Sequence, residues 1–406
     1  MSTWPTKKLG ETSVSLNSKI KMQKSKLQLK NKKWDYIPIL KYCDFERGTE
    51  PGSASYNREC DGVPFIRVGN IAAQIQEQIY TVSKNIKLCK KDDVLLVLDG
   101  SPGVVVRGIE GAFSSGIRRV VIKNPDKILK AFVLYALQAN FVQNTIKEYS
   151  TGVTIKHASK SLEYIQIPLP SFPEQQKIVG VLDTIRDAVE AQEKIIELVK
   201  ELKKSLTTKL FREGNRGAKL KKTEIGEIPE NWKVKKLVDV ATLQRGKDLP
   251  EHKQKAGEYP IIGSSGIMGY HNEYYCIGPG VITGRSGSIG GVTYTEENYW
   301  PHNTGLYVKD FHGNNQKFIY YLFHIIDFKN YATGVSVPTL NRNFVHEKKL
   351  PLPLLPEQCE IAEILQTVDQ KIEIEQKKKA LYEELFKTML NKLMMREIEV
   401  DNLNLK

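Results

Sequence analysis

Cysteine is scarce and scattered in this sequence: five residues, Cys43, Cys60, Cys89, Cys276 and Cys359, with no CxxC pair among them. That argues against a disulfide framework and against the usual zinc-ligand spacing, and it fits a reducing cytoplasm. Long apolar runs are also missing. Residues 94–98 and 128–137, the latter with a lysine inside, fall short of the ~18 residues that cross a bilayer. The first residues have no apolar signal core, so no membrane partner is expected. Catalytic signatures are absent too. There is no HExxH, no G-x-S-x-G elbow and no GxGxxG or GxxxxGK[ST] phosphate loop. The glycine run Gly284, Gly287, Gly290 and Gly291 is spaced differently, and the strand-like Val292-Thr293-Tyr294-Thr295 follows it where a phosphate loop would open a helix. Asn124-Pro125-Asp126 is not the Asn-Pro-Pro-aromatic motif of an amino-methyltransferase, and the seven histidines form no recognisable set. The expectation is a chain with no catalytic and no metal site of its own.

What is present is length and repetition. The 406 residues, 40% hydrophobic and 26% charged, are enough for two or more domains with separate cores. The net charge of +13 is unevenly placed: residues 1–33 hold nine lysines against one glutamate, a balance of +8, so the other 373 residues carry +5. Such a basic extension adds nonspecific phosphate affinity at most. Any reading of function must therefore rest on organisation.

The chain repeats itself. Ile167-Pro168-Leu169-Pro170-Ser171-Phe172-Pro173-Glu174-Gln175 matches Leu350-Pro351-Leu352-Pro353-Leu354-Leu355-Pro356-Glu357-Gln358 at an offset of 183. Upstream, Thr151-Gly152-Val153 matches Thr333-Gly334-Val335 at 182, and Trp34, Leu40, Arg47 and Gly48 match Trp232, Val238, Arg245 and Gly246 at 198. Trp4 with Lys8-Leu9 offers an alternative start for the first copy, but the match from Trp34 runs farther. The two halves share a frame and diverge in their middles. That pattern suits two similar binding heads with different targets, although a tandem duplication kept for stability would look the same.

After each Pro-Glu-Gln the periodicity becomes helical, with helix-start chemistry at Pro173, Glu174, Gln175 and at Pro356, Glu357, Gln358. Apolar residues alternate in fours and threes at Ile178, Leu182, Ile185, Val189, Ile196 and Val199, interrupted by Gln192 and Lys203. The second copy has Ile361, Leu365, Val368, Ile372, Tyr382 and Phe386, interrupted by Glu375 and Lys379. This pattern supports a coiled-coil seam, with each helix packing on its own head as the alternative. Rods of about 40 residues would be roughly 60 Å long. If they pair antiparallel, the polar interruptions meet at mid-length and set the register. Val181, Ala188, Ile195 and Leu202 widen the first stripe enough to cover a head or a partner protein.

Each head reads as mixed α/β. Residues 64–71 and 93–98 look like strands in head one, and residues 259–266 and 280–290 play the same parts in head two. Residues 127–148 and 315–328 look helical. Polar side chains in the loops are candidates for DNA contact, because phosphates and base edges need donors. In head one these are Arg67, Asn70, Arg107, Arg118, Arg119, Lys156 and His157. In head two they are Arg245, Ser264, Ser265, Arg285, Ser286, His302, Asn303, Asn341 and Arg342. Arg285 sits in the glycine-rich turn, where it can read a guanine edge, contact a phosphate or form a surface ion pair.

Together, the doubled [IL]-P-L-P-x-x-P-E-Q motif opening a long helix, residues 223–232, Arg285-Ser286-Gly287-Ser288-Ile289-Gly290 and Trp300-Pro301-His302-Asn303-Thr304 resemble the DNA specificity subunits of type I restriction–modification systems. The resemblance spans roughly residues 34–395. It implies a mixed α/β fold with two target-recognition domains, separated by two long antiparallel coiled-coil helices in a pseudo-twofold repeat. The corresponding layout is a basic extension 1–33, recognition domain 34–172, helix 173–213, linker 214–231, recognition domain 232–355, helix 356–398 and tail 399–406. The resemblance also implies double-stranded DNA, two modification methyltransferase subunits and restriction (motor/nuclease) subunits as partners. S-adenosylmethionine, ATP and Mg would reside on those partners and no cofactor on this chain. The apolar stripes of the rods suggest self-association when partners are absent. A stand-alone DNA enzyme and a purely structural adaptor are the competing readings.

Overall fold

The computed structural model describes residues 34–72, 77–334 and 338–403. The basic extension and the alternative start at Trp4 lie outside the described residues, as do tail residues 404–406. The chain divides into two compact units, Met1–Glu190 with Ala380–Lys406, and Ala191–Lys379. Each long helix is shared between them. Among the described residues no helix is long and apolar enough to cross a membrane.

In the first unit, Cys43–Arg47, Ile117–Ile122, Val94–Val97 and Val105–Val106 form an antiparallel sheet in that order. The run at 94–98 is apolar throughout because both of its faces are covered. Val94, Leu96 and Leu98 pack towards the helices Lys130–Gln138 and Asn140–Glu148. Leu95 and Val97 pack on Ile66, Phe113 and Ile117 in a second cluster. Asp35–Pro38 pairs antiparallel with Gln166–Leu169, bringing the head's first strand beside the Pro-Leu-Pro segment that opens the long helix. Two expectations need correction. Residues 64–71 are not one strand: Val63–Ile66 is a strand and Val68–Ala72 a helical turn, because the Asn70 Oδ1 accepts the Arg67 backbone N–H at 3.0 Å and turns the chain. The stretch 127–148 is two helices, since Ala139 is extended (ψ 144°).

The second unit repeats the plan. Thr242–Arg245, Gly305–Asp310, Gly280–Gly284 and Val292–Thr295 make the antiparallel sheet. Val281 faces one core and Ile282 the other. Lys233–Lys236 pairs with Lys349–Leu352 as its counterpart does in the first unit. The helix Gln316–Ile325 is capped by Asn315, whose side chain accepts the Phe318 N–H. The polar connector after the first long helix is more ordered than its composition suggests. Gly214, at φ 70°, ends the helix, and Leu220–Thr223 and Gly226–Pro229 then form a hairpin. A Cβ at Gly214 would sit 2.5 Å from the Glu357 Oε1, which together with the positive φ favours glycine here.

The long helices span Phe172–Glu213 and Leu355–Met394, 42 and 40 residues, roughly 60 Å each at ~1.5 Å per residue. In the first unit Ile178, Val181 and Leu182 share a core with Leu390, Leu393 and Met394. In the second, Leu206, Leu210 and Phe211 share one with Ile361, Ala362 and Leu365. The start of one helix meets the end of the other in both units, so they pair antiparallel. The polar interruptions meet as expected. Gln192 donates to Glu375, both nearly buried, and Lys379 reaches Glu193 at 2.8 Å. Val181 covers its own head, whereas Ile195 and Leu202 stay exposed, and Tyr382, expected in the seam, is 37% exposed.

Hydrogen bonds from Lys371, Gln192 and Lys378 hold the Glu375 carboxyl down to about 2. A depressed carboxylate stabilises the fold above its unfolded value near ~4, and that contribution is lost as pH falls towards 2. Between pH 4 and 2 the melting midpoint of the wild type should therefore fall further than that of Glu375→Gln. Equal losses would remove Glu375 from the acid response.

Candidate nucleic-acid interface

The Pro-Glu-Gln motif is where each head is fastened to its helix. Glu174 accepts the Ser171 backbone N–H at 3.0 Å and hydroxyl at 2.8 Å, and the Trp34 indole N–H at 3.4 Å. Glu357 likewise accepts the Trp232 indole at 3.0 Å. Gln175 is fully buried: its carbonyl takes the Leu129 N–H, and its amide donates to the Lys127 and Pro170 carbonyls. Gln358 repeats this with the Asn315 N–H, the Asn314 side chain and the Pro353 carbonyl. The glutamine thus serves the backbone at the entry to the head helix and the turn before the long one. Gln358→Ala leaves one buried and two half-buried partners without their hydrogen bonds and should cost about 2–3 kcal/mol, given ~1–3 kcal/mol for a fully orphaned group. Chemical denaturation of the full chain measures this, and a loss under ~1 kcal/mol would contradict it.

Backbone hydrogen bonds align the heads residue by residue where sequence spacing could not. In head two, the N–H groups of Arg285 and Ser286 both donate to the Thr304 carbonyl, and the Leu340 N–H donates to the Arg285 carbonyl. In head one, the N–H groups of Leu98 and Asp99 both donate to the Gly116 carbonyl, and the Ala158 N–H donates to the Leu98 carbonyl. Arg285 therefore corresponds to Leu98, Ser286 to Asp99 and Thr339 to His157. These three positions carry different chemistry in the two heads, whereas Arg245 keeps an arginine, Arg47, as its counterpart.

Head two presents cations there. Arg245, Arg285 and Arg342 line a cleft of about 350 Å³ with Gln244, Leu306, Thr333, Thr339, Leu340, Asn341 and Asn343, and among the described residues no carboxylate lines it. Arg342 is steered by hydrogen bonds to the Gln244 side chain and, at 3.5 Å, the Leu243 carbonyl. The Arg285 Nη1 donates to the Asn303 carbonyl at 3.4 Å. Burial, and then the neighbouring Arg245 guanidinium, push Arg285 below its ordinary range. Arginine stays charged at neutral pH, so this repulsion awaits an incoming anion or acceptor. Glycines bring the loops together: a Cβ on Gly284 or Gly291 would lie 2.9 Å from the Ser264 carbonyl. Ser264 is held by its N–H to the Thr304 hydroxyl at 3.2 Å, beside an exposed Ser265. His302 engages the same Thr304 hydroxyl, and Asn303 donates to Asp248 at 2.6 Å. Asn341 is mainly a helix cap, accepting the Asn343 N–H.

Head one differs, and three of its candidates take structural roles. Arg118 is buried, bonded to Asp99, the Ser159 hydroxyl and the Ser115 and Ile117 carbonyls. Arg119 pairs with Glu46 and Asp93. Arg107 reaches Asp183 on the long helix at 2.7 Å, fastening head to rod. Arg67 lies 3.7 Å from Glu77, and Asn70 turns the backbone, as described. Lys156 and His157 remain at the surface, with the His157 Nδ1 2.8 Å from Asp99. Sequence reasoning missed Asp99, Gln244 and Thr339, which carry no motif. It used Arg47 only to align the repeat, although Arg47 lies across from Arg118 in the sheet. Among the described residues no group of three His, Cys, Asp or Glu side chains is placed to hold a metal.

The family model for the type I restriction modification DNA specificity domain matches residues 2–201 and again 229–384. The chain belongs to this family. Its two copies of the specificity domain correspond to the two heads with their helices, and its role is DNA sequence recognition. The MjaVIII specificity subunit of Methanocaldococcus jannaschii is 28% identical over 405 residues, covering 91% of this chain and 94% of the relative. The Escherichia coli EcoBI specificity subunit is 26% identical over 234 residues, 52% and 47% of the two chains. The fold is that of the type I S subunit from M. genitalium, with TM-score 0.57 and 19% identity over 90% of this chain and 97% of that one.

Proposed function

We propose that this specificity subunit reads a bipartite target in double-stranded DNA, one half with each head, while the paired helices set the gap between the halves. The observation that carries the reading is the head-two cleft of Arg245, Arg285 and Arg342, on a frame that keeps an arginine, Arg47, as the counterpart of Arg245 in head one but holds Leu98, Asp99 and His157 where head two holds Arg285, Ser286 and Thr339. One frame with two sets of reading groups is what two unlike half-sites require. The exposed Ile195, Leu198 and Leu202 on the first helix, and Leu381 and Leu385 on the second, provide apolar surface for two modification methyltransferase subunits. S-adenosylmethionine, ATP and Mg belong to the modification and restriction subunits, and the assembly works in the cytoplasm. The test is to map methylated sites in host DNA with and without the gene. A split motif that vanishes with the gene supports the reading, and an unchanged methylation pattern rejects it.

A further inference from the structure

One element is repeated between the heads where the reading positions are not. Thr151-Gly152-Val153-Thr154-Ile155-Lys156-His157 and Thr333-Gly334-Val335-Ser336-Val337-Pro338-Thr339 share their threonine, glycine and alternating β-branched residues. They also share their closure. Gly152 and Gly334 have φ 98° and 97°, and in each loop the threonine hydroxyl donates to the carbonyl of the closing residue at 3.4 Å. Residues 335–337 lie outside the described residues, so the inference concerns head one.

There the loop is tightly built. Thr151 and His157 exchange backbone hydrogen bonds of 2.9 and 2.8 Å, and a Cβ at Gly152 would lie 2.1 Å from the Ile155 carbonyl. Tyr149 and Tyr164 stack at 4.0 Å close by in sequence to the loop and the turn that follows it. Yet this firm loop turns apolar residues outward: Val153 is fully exposed and Ile155 is 57% exposed. Neither belongs to a core cluster, so folding gains nothing from the hydrophobicity of Val153 and little from that of Ile155.

The surroundings identify the occupant. Lys147, Lys156 and Lys160 are exposed before, within and after the loop in sequence, alongside exposed Glu148 and Glu163. In head two the ends of the same loop, Thr333 and Thr339, line the arginine cleft. An exposed apolar tip on a loop that carries Lys156, and whose head-two counterpart has its ends on the arginine cleft, matches a duplex groove: phosphates outside, sugars and base faces within. Because the loop is common to two heads that read differently, it serves a feature common to both half-sites.

We propose that the 151–157 loop is a sequence-blind insertion element, with Val153 entering a groove of the bound duplex beside the bases that head one selects. This rests on reading the heads as DNA-binding surfaces. The test uses the full-length chain in its assembled modification complex, with Val153→Asp, Val153→Ile and the neighbouring Thr154→Ala, on target and scrambled duplexes. Val153→Asp should weaken binding to both duplexes by the same factor, roughly ten-fold, leaving the target-to-scrambled ratio and the methylated motif unchanged. Val153→Ile and Thr154→Ala should bind like wild type. Undiminished binding by Val153→Asp overturns the proposal, as does a changed base preference, which would make the tip a reader. Loss of complex assembly without DNA also overturns it and makes the tip a protein contact. A wild-type complex that prefers no sequence would instead sink the DNA reading itself.

Discussion

Adding seven residues to each long helix at mid-length, next to Gln192 in the first and Glu375 in the second, should lengthen the preferred gap in the DNA target by about three base pairs. Seven residues at ~1.5 Å add ~10 Å of helix, and duplex DNA rises ~3.4 Å per pair. A heptad keeps the seam in phase, so Ile178 still meets its partners near Leu393, and Leu210 still meets Ile361. Both helices must be extended because they pair antiparallel. An insert in the first alone would slide Gln192 away from Glu375 and Lys203 away from Asp369, which it contacts at 2.5 Å. Methylation of the original target should fall by more than ten-fold, with the lost activity recovered on targets of the longer gap. Activity retained at the old spacing, with the variant folded, refutes the ruler.

Replacing Arg285 by alanine should cost the head-two half-site roughly 1–3 kcal/mol, about 5- to 150-fold, if its guanidinium makes a bidentate bond to a base edge. The loss would then be confined to one base position, where preference relaxes. A phosphate contact gives a different result: uniform weakening across sequences and a salt dependence shallower by about one. The site favours base reading, since Arg285 is partly buried, backed by the Asn303 carbonyl and set in a loop whose glycines permit close approach. Arg245 is exposed at the strand end and better suited to a phosphate. Arg245→Ala should therefore show the uniform loss. Competition binding on single-base-substituted duplexes at two salt concentrations separates the two arginines. Arg285→Ala with unchanged preference at every position would end the base-reading assignment.

Much of the frame could be read in advance because it is written in local patterns. The doubled Pro-Glu-Gln marks two helix starts, the four-three spacing marks a seam, and Gln192 with Glu375 marks its polar middle. Each depends on residues close in sequence or on one repeated period. The reading site was legible only in part. Arg245, Arg285, Asn341 and Arg342 are candidates in the sequence as loop donors, and they line one cleft. Arg107, Arg118 and Arg119 are candidates on the same grounds and are ion-paired or buried. Nothing local separates the two groups, since Asp183, Asp99 and Glu46 lie far from these arginines along the chain.

From its sequence alone this protein was determined to be a duplicated mixed α/β chain with two long helices that join. Periodicity and turn chemistry act over a few residues and survive divergence. Only the tertiary structure decided which arginines face outward and which residue of head one stands where Arg285 stands in head two. A side chain's charge is cancelled or left free by partners that folding brings from elsewhere, and the drifting spacing between the copies hides their alignment until backbone hydrogen bonds reveal it.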